Sequence, residues 1–386
     1  MAAITDFALA ENLRAIARQK MLLPAFCALY FLLSLYVIAI FLIGSDFGGQ
    51  YGHTFKNMLA GASERPMVYR MLLPVIADAV IHSLPDAFLQ SINGWSASIR
   101  DSRLMSVIIH VHRPDMPPSL RDSSHLYESF VFVLLTWMCL CGYMAALYRM
   151  ARYFMPQSRA YALLAPVFGA LLLPVVHENF AYPYDYSTLL LVSLSLYCMA
   201  RERWPAYYVL LALATMNKET AVYIPFVYAV YFFGRKPMKS YAAAVLAQLA
   251  VYAGISAAIR IYYEHSLVSR GLFSSTWTQL AILFHGYSYN TFVAMLVTFY
   301  LLTFRWREKP EFLRCGMWMW LPLLVAFLCL GYPNEYRQFL DIAPVATLLL
   351  THTLVTAARS RGKESMMSSV AMRGGALRTR DIAGKL

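Results

Sequence analysis

Charged residues are scarce in this chain of 386 residues. They make up 14% of the sequence, against about 25% in a typical soluble domain. Hydrophobic residues make up 59% and aromatic residues 15%, led by 27 Tyr, a side chain that suits the boundary between water and lipid. This composition excludes a soluble globular domain. It predicts an all-α, polytopic membrane protein whose surroundings are a lipid bilayer.

Metal-binding cysteine patterns, nucleic-acid-binding motifs and internal repeats are also lacking. The six cysteines lie inside apolar runs, with neither the spacing of metal ligands nor loop positions suited to disulfides. We expect them to be small buried hydrophobes. The net charge of +12 is accompanied by no nucleic-acid-binding motif, so nucleic acid is not a predicted partner. No feature specifies an oligomeric state.

Ten apolar segments are long enough, or nearly so, to cross a bilayer as helices. They are 21–43, 126–148, 160–176, 186–200, 204–217, 219–233, 240–263, 290–304, 315–331 and 337–357. We therefore expect about ten transmembrane helices.

Basic residues collect in the short connections between these runs, at 149–159, 201–203, 234–239 and 305–314. With ten crossings, all four connections and both termini fall on one side of the membrane. The positive-inside rule makes that side the cytoplasm. The opposite side receives segments rich in acids, Tyr, Asn and His. We expect an integral protein of a bacterial inner membrane whose polar site faces the periplasm.

The chain is expected to form one transmembrane domain, 21–357, with a basic region on either side. Residues 1–20 have apolar positions near helical spacing and end in basic residues, which predicts a helix lying on the cytoplasmic surface. Residues 358–386 are predicted to be a basic, flexible tail. Within the domain, 44–125 is a long outer segment expected to carry short interfacial helices, one of them at 70–84.

The run Asn217-Lys218-Glu219-Thr220 interrupts two apolar segments, where a charge at the bilayer centre costs about 2.5–3.5 kcal/mol. The flanking segments are short, which predicts a hairpin over 204–233 whose tip faces a cavity. An internal ion pair that fixes a turn is one interpretation. Because ionisable groups inside a membrane are mostly functional, we predict that Lys218 binds phosphate. Glu219 would then orient that lysine or touch the substrate.

Further polar residues lie on the same predicted side. Asp46 follows the first span as either a solvated helix cap or a general base at the mouth of a pocket. Arg70, next to Tyr69, has the planar guanidinium that recognises phosphate in a bidentate manner; the alternative is an arginine reaching lipid headgroups. Glu335 and Arg337 place an acid and a base before the last span, as a surface pair or as part of a site.

His177 and Glu178 end the third span, and Asp185 opens the fourth. A divalent cation site would require Asp185 to fold back towards them, because neighbours on a helix do not face each other. Otherwise these side chains are polar helix ends. His265, in the outer loop 264–289, is a candidate for an acceptor site.

Together these residues resemble the GT-C superfamily of integral-membrane glycosyltransferases, which use polyprenyl-phosphate-linked sugars. Four short motifs carry the resemblance: Asp46 beyond the first span; Tyr69, Arg70, Leu72 and Pro74; Asn217 to Thr220; and Glu335, Arg337 and Pro344. The resemblance implies transfer of a sugar from a polyprenyl-phosphate donor by direct displacement. Protein mannosyltransferases of this type have two adjacent acids in the first loop, whereas Asp46 is followed by Phe47. The implied acceptor is therefore a glycan or a lipid.

The resemblance also implies a role for each residue. Asp46 would be the catalytic base, and Arg70, Lys218 and Arg337 would hold the lipid phosphate, since fixed cations stabilise its developing charge. The remaining residues would bind the donor (Tyr69, Asn217) or support the acceptor side (Glu219, His177, Glu178, Asp185, Glu335, His265). Two alternatives stay open: a transporter or flippase for a lipid-linked or anionic substrate, and a non-catalytic subunit of a membrane assembly.

Overall fold

The computed structural model describes residues 24–42, 67–102, 126–156, 161–176, 182–264, 289–330 and 336–358, with a few positions between 57 and 65. Within these residues the chain is almost entirely helical and has no β-strand, which confirms the all-α class. The predicted surface helix 1–20 lies outside the described residues, as does all of the predicted tail except its first residue.

The helices are numbered here in chain order. They are α1 Pro24–Leu42, α2 Leu72–Ser83, α3 Asp86–Arg100, α4 Leu126–Phe154, α5 Leu164–Val176, α6 Pro183–Ala200, α7 Trp204–Asn217, α8 Tyr223–Phe232, α9 Met238–Tyr262, α10 Tyr289–Thr303, α11 Glu311–Met317, α12 Trp320–Leu330 and α13 343–358. Short 3₁₀ turns precede several of them: Met67–Tyr69, Tyr161–Leu163, Glu219–Val222, Trp306–Glu308 and Tyr336–Ile342.

Every predicted span coincides with a helix or with two successive ones, but the count of about ten crossings is not confirmed. Among the described residues, five stretches are long and apolar enough to cross a membrane, or six if the bent pair α2–α3 counts as one. The five are Pro24–Leu42, Leu126–Phe154, Met238–Tyr262, Glu311–Cys329 and Arg337–Ala358. Helices α5, α7, α8 and α10 have 10 to 15 residues. Such helices are about 15–23 Å long, shorter than the hydrocarbon core of about 30 Å.

The bend between α2 and α3 measures 115°. Leu84 precedes Pro85 and has an extended backbone, because the proline ring disfavours helical geometry in the residue before it. Helix α2 buries one side through Leu72, Leu73 and Ala77. The half-buried helix predicted at 70–84 is therefore present.

Helix α6 forms the centre of the bundle, where it packs on α4, α7, α8, α2 and the 336–342 turn. Of its 18 residues, 14 are buried, so it has no lipid-facing stripe. Two of its hydroxyls bond within the helix: Thr188 Oγ1 donates to the Tyr184 carbonyl at 2.7 Å, and Ser193 Oγ to the Leu189 carbonyl at 2.6 Å. Because α6 carries polar side chains and lies at the centre of the bundle, it can place several of them at one site.

The outer helices expose apolar side chains. Leu32 on α1, Leu246 on α9 and Phe299 on α10 are 62%, 66% and 65% exposed. Apolar surface on this scale marks contact with a non-aqueous environment. The bundle therefore lies in a lipid bilayer as an integral membrane protein.

All six cysteines are free. The expectation that they are buried is correct for Cys198 and wrong for Cys27 and Cys329, which are exposed. Both lie on outward-facing helices, where a small apolar side chain is compatible with lipid.

The basic connections meet at one end of the bundle. Two ion pairs join them, from Arg235 Nη2 to Glu311 Oε1 at 2.5 Å and from Lys236 Nζ to Glu202 Oε2 at 3.1 Å. The Tyr153 hydroxyl also donates to the Ala200 carbonyl at 3.0 Å, and the rings of Phe154 and Phe312 stack with their centroids 5.6 Å apart. We call this the basic end, comprising residues 149–156, 201–203, 234–239 and 305–314. Its facing the cytoplasm stays a prediction.

Helices α7 and α8 form the predicted hairpin. Trp204, at the start of α7, lies 5.6 Å from Phe232 at the end of α8, measured between ring centroids. Both helix ends therefore belong to the basic end. The Asn217–Thr220 turn lies at the opposite tip, where the candidate site is found.

Candidate functional site

Asn217 anchors the tip of the hairpin to α6. Its Nδ2 donates to the Tyr184 carbonyl at 3.0 Å and to Thr188 Oγ1 at 2.8 Å, and its Oδ1 accepts from Ser187 Oγ at 2.5 Å. The residue is 1% exposed. A buried amide with this many partners holds the backbone in place, since leaving any of them unpaired is costly. Asn217 therefore acts as a fixed support for the tip of the hairpin, and its role in binding a donor stays a prediction.

Lys218 lies between two buried carboxylates. Helix α7 ends because Lys218 has an extended backbone, with φ −161° and ψ 143°. Its Nζ lies 3.6 Å from Asp185 Oδ1 and 3.8 Å from Asp341 Oδ2, beyond hydrogen-bond length. Within the described residues this ammonium makes no hydrogen bond. Its charge is compensated while its three donors stay unused.

Asp185 joins three segments of the chain. One carboxylate oxygen accepts from the Tyr182 backbone amide at 3.1 Å, which caps the start of α6. Both oxygens lie 3.3 Å from Nη1 of Arg337, and one faces Lys218. Asp185 has no exposed surface, and Arg337 is 4% exposed. These contacts bring the predicted residues Asp185, Lys218 and Arg337 together.

Two tyrosine rings contact Arg70 and Arg337. The Tyr182 and Tyr184 rings stack at 5.2 Å with an interplanar angle of 11°. Arg70 Cζ lies 4.4 Å from the Tyr184 centroid, and Arg337 Cζ lies 4.2 Å from that of Tyr182. Guanidinium groups bind favourably over aromatic faces. The stack therefore contacts two of the predicted phosphate ligands, Arg70 and Arg337.

Arg70 pairs with Glu219 at the more open side of the cluster. Its Nε donates to Glu219 Oε2 at 3.2 Å, and the two side chains are 10% and 31% exposed. Burial acts to lower the pKa of Arg70, but the charge of Glu219 and of neighbouring acidic groups outweighs it, so the pKa lies above its ordinary value. Arg70 therefore stays cationic. The Tyr252 hydroxyl donates to the Glu219 carbonyl at 2.9 Å.

We call these side chains the ionic cluster: Arg70, Lys218, Arg337, Asp185, Glu219 and Asp341. The bases and acids are equal in number, and exposure falls from Glu219 to the buried Asp185 and Asp341. Arrangements of this kind hold cations in fixed positions without net charge. The open side at Arg70 and Glu219 is where an anionic group can approach.

Three residues of this region were missed by sequence reasoning. Tyr182 and Tyr184 carry no motif that sets them apart. Asp341 had a usable signal, because it is a carboxylate inside the last apolar run and four residues after Arg337, a spacing that places both on one helical face.

Several predicted residues are not part of the described arrangement. Asp46, His177, Glu178, His265 and Glu335 lie outside the described residues. Tyr69 is described, and its ring lies 5.9 Å from Arg260 Cζ rather than within the ionic cluster. In the part of the chain that the structure describes, no group of three His, Cys, Asp or Glu side chains is suited to a metal ion.

The fold and the cluster define an integral membrane protein with a charge-balanced ionic site at one end of a helical bundle. Comparison of the chain with protein-family models, curated proteins and solved structures finds no match.

Proposed function

We propose that the chain is a membrane glycosyltransferase of the GT-C type. It moves a sugar from a polyprenyl-phosphate donor to a glycan or lipid acceptor at the end of the bundle opposite the basic end, on the periplasmic face. The observation that carries the proposal is the convergence of Arg70, Lys218 and Arg337 from three distant segments, with the donors of Lys218 unused among the described residues. A phosphate is the anion that such a set of donors recognises.

In the proposed reaction Asp46 takes the proton of an acceptor hydroxyl. The acceptor oxygen forms a bond to the anomeric carbon of the sugar as the bond from that carbon to the phosphate oxygen breaks. The electron pair of the broken bond stays on the lipid phosphate, whose charge increases. Preorganised cations at that position lower the barrier.

The acids of the cluster position the cations until the donor arrives. Glu219 is the most exposed of the three acids, at 31%. The donor phosphate therefore displaces the Glu219 carboxylate and binds Arg70 instead. Asp185 and Asp341 remain buried and keep Lys218 and Arg337 aimed at the phosphate. The phosphodiester of the donor carries one negative charge, so it replaces one carboxylate and the environment stays compensated.

Exchange of Lys218 for methionine tests the proposal, with sugar transfer from a polyprenyl-phosphate donor and binding of the polyprenyl phosphate as readouts. Loss of one charged hydrogen-bond donor to phosphate is expected to weaken binding at least about tenfold. Lys309→Met is the matched control, because Lys309 is also buried, with 2% exposure against 4% for Lys218. Lys309 lies at the basic end, where its ammonium donates to Thr353 Oγ1 and the Leu349 carbonyl. Unchanged transfer and binding in Lys218→Met would refute the proposal.

A transporter or flippase for a lipid-linked or anionic substrate is the second candidate. The equal number of acids and bases in the ionic cluster favours it, because ionisable chains inside membranes also form ion and proton pathways. Reconstitution of the purified protein in vesicles distinguishes the two. Movement of the lipid-linked sugar across the vesicle membrane, without transfer to an acceptor, would replace the glycosyltransferase proposal.

A further inference from the structure

An apolar groove of about 640 Å³ opens on the membrane-facing surface of the bundle. One wall is α10, through Met295, Phe299 and Leu302, and the other is formed by α11 and α12. Its floor is the outer side of the 336–342 turn, at Phe339 and Ile342. Helix α10 exposes much of its apolar surface, with Phe299 at 65% and Tyr300 at 60%, so the groove is reached from the lipid.

Arg314 is the charged residue among the described side chains that line the groove. It belongs to the basic end, where Trp306 and Trp318 also line the groove. Tryptophan is enriched at the level of lipid headgroups. One end of the groove therefore has the chemistry of the membrane interface, while the rest has that of the hydrocarbon core.

Among the described residues, the acids near Arg314 form their ion pairs with other arginines. Glu311 pairs with Arg235 at 2.5 Å and Glu308 with Arg305 at 3.4 Å. Arg314 Nε is buried without a hydrogen-bond partner among the described residues, and its guanidinium makes no ion pair with them. Such a group is costly to leave unpaired, and an anion in the groove would pair with it.

We propose that this groove binds an anionic glycerophospholipid, with one acyl chain between α10 and α12 and the phosphate on Arg314. The apolar walls fit a hydrocarbon chain, and the single arginine at the interfacial end fits an anionic headgroup. A polyprenyl-phosphate donor fits less well, because its phosphate would lie at the ionic cluster and would leave Arg314 without an anion. The inference does not depend on the proposed sugar transfer.

The test is the lipid that stays with the full-length protein after purification in a mild detergent. Extracted lipids are quantified by mass spectrometry for the wild-type protein and for Arg314→Ala, Arg314→Lys and Arg307→Ala. We expect Arg314→Ala to retain about tenfold less anionic glycerophospholipid, the effect of one charge-assisted hydrogen bond. Arg314→Lys should retain an intermediate amount. Arg307 is exposed, at the same end and outside the groove lining, so Arg307→Ala should match the wild-type protein.

A second variant tests the position of the acyl chain. Thr303 lines the groove and is exposed, so Thr303→Trp should fill the groove without disturbing the core. We expect it to lower lipid retention, and also the thermal stabilisation given by added phosphatidylglycerol but not by phosphatidylcholine. Equal retention in Arg314→Ala and Arg307→Ala would overturn the inference. So would full retention in Thr303→Trp, or no preference for anionic over zwitterionic lipid.

Discussion

Replacing Lys218 with methionine removes the cation that lies between two buried carboxylates. At 3.6 and 3.8 Å, the attraction to Asp185 and Asp341 is about 4.6 and 4.4 kcal/mol for an effective dielectric constant of about 20. Asp185 keeps Arg337 as a partner, whereas Asp341 loses its ion-pair partner among the described residues. Breaking a buried pair from one side costs about 3–5 kcal/mol. We expect the free energy of unfolding to fall by that amount.

The reasoning requires the two residues to be coupled. Asp341→Asn alone leaves an excess positive charge, but Lys218 keeps Asp185, so a smaller loss of about 1–3 kcal/mol is expected. In the double variant Lys218→Met/Asp341→Asn, the remaining acids and bases are again equal in number. Its cost should fall short of the sum of the single costs by about 0.5–3 kcal/mol.

The measurement is unfolding in detergent micelles by added denaturant, followed by circular dichroism, for the wild-type protein, both single variants and the double variant. Free energies can be compared only if each of these proteins unfolds in one cooperative transition. Costs that add within about 0.5 kcal/mol would refute the view that Lys218 and Asp341 form a pair.

Two further predictions concern other polar contacts. Asn217→Ala removes three hydrogen bonds to α6 and leaves the Ser187 hydroxyl and the Tyr184 carbonyl to other partners. We therefore expect the same denaturant measurement to show a loss of unfolding free energy of about 2–4 kcal/mol. Burial lowers the pKa of Lys309 from 10.5 to about 8, so between these pH values the folded state binds fewer protons than the unfolded state. The free energy of unfolding should therefore rise with pH from about 8 to 10.5. This rise should be absent in Lys309→Met, and its persistence there would contradict its assignment to Lys309.

Much of the fold was predictable from local patterns. Apolar runs and the scarcity of charge predicted the membrane class and the positions of the helices, because both depend on sums over neighbouring residues. The positions of the basic connections predicted that they share one end, and the Arg235–Glu311 and Lys236–Glu202 contacts agree. The number of crossings was less predictable, since helices such as α7 and α8 are apolar yet too short to cross alone.

The sequence by itself determined that polar residues such as Arg70, Lys218, Asp185 and Arg337 interrupt apolar segments, and hence that their charges require compensation in lipid. Only the tertiary structure decided which charge compensates which. Lys218 pairs with Asp185 and the unforeseen Asp341 rather than with its neighbour Glu219, which pairs with Arg70, 149 positions away. The physical reason is that adjacent side chains point in different directions, whereas burial of α6 at the centre of the bundle brings distant segments within ion-pair distance.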